Sequence, residues 1–548
     1  MNDFLTLKSS KNYQEYFLSW SSENDSYISL IKHSEKNENY FKKKLVQKID
    51  FFQKNLNNFF KKYNKKNLIQ IPWKLNNIQD NNLYDQNYLF DLYKLVILEE
   101  LCKKWKIKKI ILNGSDKNIQ NIIKVFCKEK NILFDYNYLK NKNKNKFNYK
   151  QFLLTILPNF LITFIRLNIF LLLRFPVLFQ KERKIKKNHK INLLFVSYLS
   201  NLSKKGLEGK YFGSSYWSDL DIKISNNNIK KNWLFLYTPE FKISKKNLRT
   251  FSNNINKKIN SEYIVLDSYF CWKSLIELYL AYFKNLILSP FILKILNKKF
   301  SSNYCFEIYK KDINQNIFGF KILKSLYFDK LIKNFFLKNK IEFKKIIYLY
   351  ENQSWERSLL KHSKSNNCLA FLHSSLRYWD LRYLNLNSQN TINRHILKKK
   401  ILVFSNYYKK FLIKYYSIKS ENIILVEYLK NNKNYNSKIF KKKLIVIGDY
   451  KDESNMSLKK ILTKIKNKKN GYFLVKPHPL NYKYFKNLRK KIKINIRENI
   501  NLNNYKIFLV TNSTSLGLEL LLQKKYVFTT LDTDYFNLSP VKYFIKYK

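Results

Sequence analysis

The chain has 548 residues, 45% of them apolar, with only eight glycines and eight prolines. That excludes a disordered polymer and long flexible linkers, and it leaves room for two or three domains. The formal net charge of +65 taken alone suggests nucleic acid or an anionic membrane as partner.

Lys, Asn, Ile, Phe and Tyr, however, are enriched together. All five have AT-rich codons, and Arg is scarce beside Lys. Much of the charge is therefore a compositional bias spread along the chain, and the remainder favours anionic partners such as phosphates and lipid head groups. The five cysteines, Cys102, Cys127, Cys271, Cys305 and Cys368, include no Cys-x-x-Cys pair. A disulfide framework is not expected, and a reducing compartment fits. Met1–Leu5 lacks the basic-then-apolar pattern of a signal peptide, so a cytoplasmic location is expected.

Residues 1–65 are predicted to be a helical, basic region. Residues 66–395 are predicted to form one α/β domain. Within it, Ile107–Leu112 reads as a strand, Asn113–Asp116 as a capping turn and the segment to Cys127 as a helix, with Ile132–Tyr136 as the next strand. A strand, helix and strand in so short a span imply a parallel pair. Asn141–Lys146 is a low-complexity linker.

An apolar insert follows at about 150–186. Its longest uncharged run, Phe152–Ile165, is too short to span a bilayer, and Arg166, Arg174, Pro158 and Pro176 interrupt it. The alternatives are a helix in the membrane interface and a helix buried against a partner. The cluster Lys181–Lys187 beside it suits anionic head groups. Further strands are expected at 191–197, 233–237, 262–266, 346–350 and 368–372, with a second apolar helical region at 270–297.

Residues 396–548 alternate most clearly. Strands at 444–447, 472–475, 506–510 and 526–529 are separated by helices at 455–465, 482–491 and 515–523, the pattern of a doubly wound parallel sheet. Ligands of such sheets sit beyond the carboxyl ends of the strands, so the loops there are the place to look for a site.

Two of these loops stand out. Lys476-Pro477-His478-Pro479 lies between strand and helix, with one proline extending Lys476 and the other pre-set for a helix start. Helix amides bind phosphate there, and His478 adds a hydrogen bond or a proton. Thr511-Asn512-Ser513-Thr514-Ser515, followed by Gly517, carries more hydroxyls than one cap needs and reads as a phosphate cradle.

In the preceding domain, Glu351–Arg357 offers Glu351 and Glu356, five residues apart, as candidate general bases. His373–Asp380 brings His373, Arg377 and Asp380 to a strand end as acceptor or cleft residues. No P-loop and no Gly-x-Gly-x-x-Gly is present, and no cluster has metal-ligand spacing; Asp532-Thr533-Asp534 falls past the last strand.

With Tyr211–Leu220, these four segments make the chain resemble bacterial surface-carbohydrate (O-antigen or capsule) biosynthesis transferases with a GT-B-like fold. The Lys476–Pro479 and Thr511–Glu519 segments are also similar to the His-Pro and Ser motifs of bacterial sialyltransferases and polysialyltransferases. The resemblance implies two Rossmann-like doubly wound domains facing a cleft, with the C-terminal one holding a nucleotide-sugar donor.

It further implies His478, Ser513, Thr514 and Ser515 as ligands of a cytidine nucleotide's phosphate, joined here by Lys476 and Asn512. The transfer would be inverting and metal-independent, without a cofactor, onto a glycan or lipid-linked acceptor at the inner face of the membrane. The family's short acidic-Gly motif for the base is absent, so Glu351, or less strongly Glu356, takes that role. A polyol-phosphate transferase using a CDP-linked donor is the alternative enzyme. A basic nucleic-acid-binding protein is the alternative of another class. That last reading requires Lys and aromatic residues on one face, whereas Lys is spread throughout.

Overall fold

The computed structural model describes residues 4–9, 14–20, 28–65, 88–114, 116–139, 159–178, 193–199, 202, 217, 231–238, 263–314, 319–339, 343–363, 368–373, 376–386, 400–426, 441–449, 452–466, 473–478, 481–491, 494–498, 500–511, 514 and 516–530. The linker at 141–146, the basic cluster at 181–187, Asp532 and Asp534, and all of Tyr211–Leu220 except Trp217 lie outside it. So do Asn512, Ser513 and Ser515.

The protein is α/β, and its described residues form three sheets. The first contains β1 (Phe4–Ser9), β2 (Glu15–Ser19), β3 (Ile28–Ser29), β4 (Ile107–Gly114) and β5 (Leu133–Tyr138), in the order β3-β2-β1-β4-β5. β4 and β5 are parallel, as expected, while β1 runs antiparallel to β2 and to β4. Two corrections follow. The N-terminal region is not purely helical: its first thirty residues supply three strands, and the helices α1 (Leu30–Ser34) and α2 (Glu38–Lys65) come after them. The expected β-α-β unit, with α4 (Lys117–Glu129) capped by the Asp116 side chain on the Asn118 amide, belongs to this separate sheet. α3 (Tyr88–Lys104), buried along most of its length, packs on α2.

The second sheet has seven parallel strands. They are β6 (Leu193–Tyr198), β7 (Lys231–Leu236), β8 (Tyr263–Val265), β9 (Lys345–Leu349), β10 (Cys368–Phe371), β11 (Lys400–Val403) and β12 (Ile423–Leu425), in the order β12-β11-β10-β9-β6-β7-β8. β6 and β7 are buried almost throughout because both faces are covered, as parallel sheets require. The core on one side is aromatic: Phe195 stacks on Trp233, and Trp217 meets both. β11 and β12 lie beyond residue 395, so this sheet extends further along the chain than the sequence boundary placed it.

The apolar insert forms α5 (Asn159–Leu178), and the second apolar region forms α6 (Trp272–Phe300). Then come α7 (Tyr304–Ile313) and α8 (Phe320–Asn339). Arg174, read from the sequence as a charge interrupting the apolar run, faces the protein interior. It is 1% exposed, and its Nε lies 3.2 Å from Oδ1 of Asp267, itself 0% exposed. Its Nη2 also donates to the Tyr237 carbonyl at 2.9 Å. Breaking such a buried pair from one side costs about 3–5 kcal/mol, so this end of α5 is anchored in the protein.

The third sheet holds β13 (Lys441–Ile447), β14 (Phe473–Lys476), β15 (Asn495–Ile496), β16 (Tyr505–Val510) and β17 (Tyr526–Thr529), all parallel, in the order β15-β14-β13-β16-β17. Helices α11 (Asp452–Lys466), α12 (Tyr482–Lys491) and α13 (Leu516–Leu522) alternate with the strands as the sequence pattern predicts. α9 (Ser354–His362) and α10 (Asn406–Tyr416) precede them. The second and third sheets are thus both doubly wound. The chain divides into two compact units, one comprising residues 1–372, 381–404 and 416–429, the other 373–380, 405–415 and 430–548.

Candidate functional site

Counted from its first strand, the third sheet has the order 3-2-1-4-5, so the winding reverses between β13 and β16. Ligands of doubly wound sheets bind at that reversal, outside the carboxyl ends of the strands. β13, β14 and β16 end in register, Ile447 being level with both Lys476 and Val510. The residues just beyond are Gly448-Asp449, Pro477-His478 and Thr511, and they converge.

Thr511 is fully buried and its Oγ1 donates to Oδ2 of buried Asp449 at 3.2 Å, closing the switch point. The loop after β13 is held by Asn455, buried in α11. Its side-chain oxygen accepts from the Asp449 amide at 2.9 Å, and its amide donates to the Asp449 carbonyl at 2.9 Å. Gly448 donates to the Lys476 carbonyl at 3.0 Å, which ties this loop to β14. A Cβ at Gly448 would collide with the buried Phe485 ring of α12, so only glycine lets the strand end pass there.

His478 is half-buried, and its backbone carbonyl accepts from the Asn481 amide at 2.9 Å. Burial pushes its pKa below the ordinary imidazole value, while the Asp449 charge pulls it partly back. The side chain is accordingly neutral near pH 7, and a phosphate arriving beside it would favour the protonated form. Lys476, expected at the phosphate, has its Nζ on the Glu498 carbonyl at 2.7 Å. Thr514 is half-buried, and its backbone amide donates to the Thr511 carbonyl at 3.3 Å.

The second sheet reverses between β6 and β9. There the Tyr198 hydroxyl donates to Oε2 of Glu351 at 2.8 Å, and Nε2 of Gln353 donates to the same oxygen at 2.7 Å. Nε1 of Trp355 in turn donates to the Tyr198 hydroxyl at 3.1 Å. Burial, and then the Glu351 charge, hold the Tyr198 phenol well above its usual pKa, so it stays a donor. Asn352, next to Glu351, has φ of 59°, a left-handed conformation that aims this loop. Glu351 is half-buried at the strand end, as a candidate base should be.

Glu356 is placed differently. It is buried, and Oε1 accepts from the amides of Glu351 at 2.8 Å and Gln353 at 2.9 Å as part of the capping box of α9. Its carboxylate shapes the loop that presents Glu351. His373, Arg377 and Asp380 are all buried, and their segment clusters with the second compact unit although it follows a strand of the first.

Sequence reasoning missed Asp449, Asn455 and Tyr198. A signal for Asp449 existed: Gly448-Asp449 directly follows the strand at 444–447. Tyr198 had none, because its meaning depends on a partner 153 residues away. Among the described residues no three His, Cys, Asp or Glu side chains converge to hold a metal.

No family model and no curated protein matches the sequence. Several solved structures are similar at low level, among them the following. A glycosyltransferase from Rickettsia africae ESF-5 shows 13% identity and a TM-score of 0.32, over 62% of this chain and 79% of that one. The UDP-GlcNAc 2-epimerase of Methanocaldococcus jannaschii, in complex with UDP-GlcNAc and UDP, shows 13% identity and 0.33, over 62% and 83%. The UDP-GlcNAc 2-epimerase of Neisseria meningitidis, bound to UDP-GlcNAc, shows 12% identity and 0.30, over 65% and 92%.

Proposed function

We propose that the chain is a nucleotide-sugar-dependent glycosyltransferase of cell-surface polysaccharide assembly, working at the cytoplasmic face of the membrane on a glycan or lipid-linked acceptor. The observation that carries the reading is the switch point of the third sheet, where Asp449, Thr511 and a half-buried His478 converge at three strand ends level with one another. A phosphate-bearing donor suits that place, with hydroxyls from the Ser513–Ser515 segment and the imidazole to receive its charge.

In the proposed reaction an acceptor hydroxyl oxygen attacks the anomeric carbon of the donor and the bond from that carbon to the phosphate oxygen breaks. The hydroxyl proton passes to Glu351, and His478 with the hydroxyl segment stabilises the leaving phosphate. A single displacement inverts the anomeric centre. Asp449 repels phosphate, so its part is to orient His478 and Thr511 or to accept from a sugar hydroxyl. A cytidine-linked donor is the preferred choice, from the resemblance of the His-Pro and Ser segments.

The test is a thermal-shift and calorimetric screen of the full chain against CMP-, CDP-, UDP- and GDP-linked sugars. CMP donors are expected to bind, and His478→Ala to weaken them at least tenfold. Unchanged binding in His478→Ala removes the site assignment. A response to UDP or GDP donors alone removes the cytidine choice. A product that carries phosphate in the mass spectrum assigns a polyol-phosphate transferase instead.

A further inference from the structure

α5 and α6 expose an apolar surface for which the transfer reaction has no use. On α6 the residues Trp272, Ile276, Leu280, Phe283, Ile287 and Phe291 recur every three or four positions, and each is more than half exposed, Ile287 reaching 75%. The opposite side of the same helix is held by the protein: Ser274, Leu278, Tyr282, Asn285 and Ile292 are buried. On α5, Leu161, Ile165, Ile169 and Leu172 form a second exposed stripe. The two helices meet where the Tyr279 hydroxyl donates to Asn168 at 2.8 Å and the Phe164 ring packs on Tyr279 and Tyr282. The two helices thus touch beside their stripes, and the α6 stripe alone is roughly 28 Å long.

We propose that this two-helix face lies flat in the head-group boundary of an anionic lipid bilayer. The charges around it select that occupant. Lys294 and Lys298 continue the α6 stripe at its C-terminal end, while Lys273 and Lys284 lie exposed on the same helix and Arg166 on α5. α5 contains no acidic residue, and the single acid of α6, Glu277, is paired with Lys330. A cationic margin around an apolar stripe suits anionic head groups, and it opposes docking of a second copy, whose like charges would face it.

α6 is long and apolar enough to cross a membrane. Its inner side is nevertheless joined to α8, where Nδ2 of Asn334 donates to Ser274 at 3.1 Å, and α5 is anchored through Arg174 and Asp267. Spanning would break both attachments, whereas lying flat keeps them. The inference is independent of which donor the third sheet binds.

The experiment is co-sedimentation of the full chain with vesicles of phosphatidylcholine containing 30% phosphatidylglycerol, and with pure phosphatidylcholine. The protein is expected to partition onto the anionic vesicles and only weakly onto the neutral ones, with Trp272 fluorescence quenched by lipids brominated near the head group. Ile276→Glu with Ile287→Glu is expected to lower partition at least tenfold. Leu133→Glu, a control exposed on β5, is expected to leave it unchanged. Both altered positions are exposed, so circular dichroism should report a folded variant. Three outcomes overturn the proposal: no partition of the unaltered chain, equal partition of the double variant, or a lipid-free dimer that the double variant dissociates.

Discussion

The second and third sheets are wound alike yet end differently. In each, a hydroxyl on one side of the switch point donates to a carboxylate on the other: Tyr198 to Glu351 in the second, Thr511 to Asp449 in the third. In the second sheet the acid comes from the strand after the reversal. It receives a phenol and the Gln353 amide, and the Trp355 and Tyr348 rings pack against one another beside it. In the third the acid comes from the first strand and is itself buried, and the accessible titrating group nearby is a histidine. The winding decides where polar groups gather. Whether the gathered group is a half-buried carboxylate or a half-buried imidazole decides whether the end suits taking a proton from a hydroxyl or receiving a phosphate.

The change expected to separate the two ends most is Glu351→Gln. The amide keeps the shape and its carbonyl oxygen can still accept from Tyr198, but it takes no proton. Turnover should fall about 10²–10⁴-fold, as for loss of a general base, with donor affinity unchanged. Steady-state rates together with donor calorimetry check this; a parallel loss of donor affinity would erase the division of labour.

Next is Gly448→Ala. The added methyl must displace Phe485 or the strand end, and overpacking of this kind costs about 1–3 kcal/mol. Urea denaturation should show that loss, and donor binding should weaken with it because Asp449 follows Gly448 directly. At the end of β6 in the second sheet Leu199 follows Tyr198, so that strand end has no glycine constraint of this kind.

A matched pair sharpens the comparison. Thr511→Val and Tyr198→Phe each remove one hydroxyl from a carboxylate, at about 1–3 kcal/mol for an acceptor left short of a donor. Both should lower stability, yet only Thr511→Val should weaken donor binding. The two variants measured by urea titration and calorimetry settle whether the ends act separately.

Most of the third sheet was legible, because four of its five strands carry a short apolar run ended by a polar loop, and the segments at 482–491 and 526–529 match α12 and β17 residue for residue; the two-residue β15 carries no such run and was missed. The first sheet was not. Phe4–Ser9 mixes Thr and Lys with its apolar residues, and its pairing partner, Ile107–Gly114, lies a hundred residues on; local periodicity carries no trace of such a pairing. Likewise Arg174 read as a charge breaking an apolar run because Asp267, its counterion, is remote in sequence. In the candidate sites the strand-end rule found His478, Thr511 and Glu351. It missed Asp449 because the loop after the first strand of the third sheet, Gly448-Asp449-Tyr450-Lys451, holds no conspicuous motif.

The smallest expected effect is also the most specific to the third sheet. Burial holds His478 below the ordinary imidazole pKa, with Asp449 only partly opposing it. A depressed imidazole favours the folded state above the ordinary value, near 6.5, and that stabilisation is lost as pH falls below it. A bound phosphate reverses the local field and raises the same pKa, so donor binding takes up a fraction of a proton in the interval between the two values. Affinity should therefore improve severalfold as pH drops from 8 to 6, while the free protein's stability declines toward the acid end of that range. Calorimetry in buffers of differing ionisation enthalpy reads the proton uptake directly, and His478→Gln should abolish it. Uptake that persists in that variant would move the phosphate's proton partner away from His478 and with it the contrast between the two sheets.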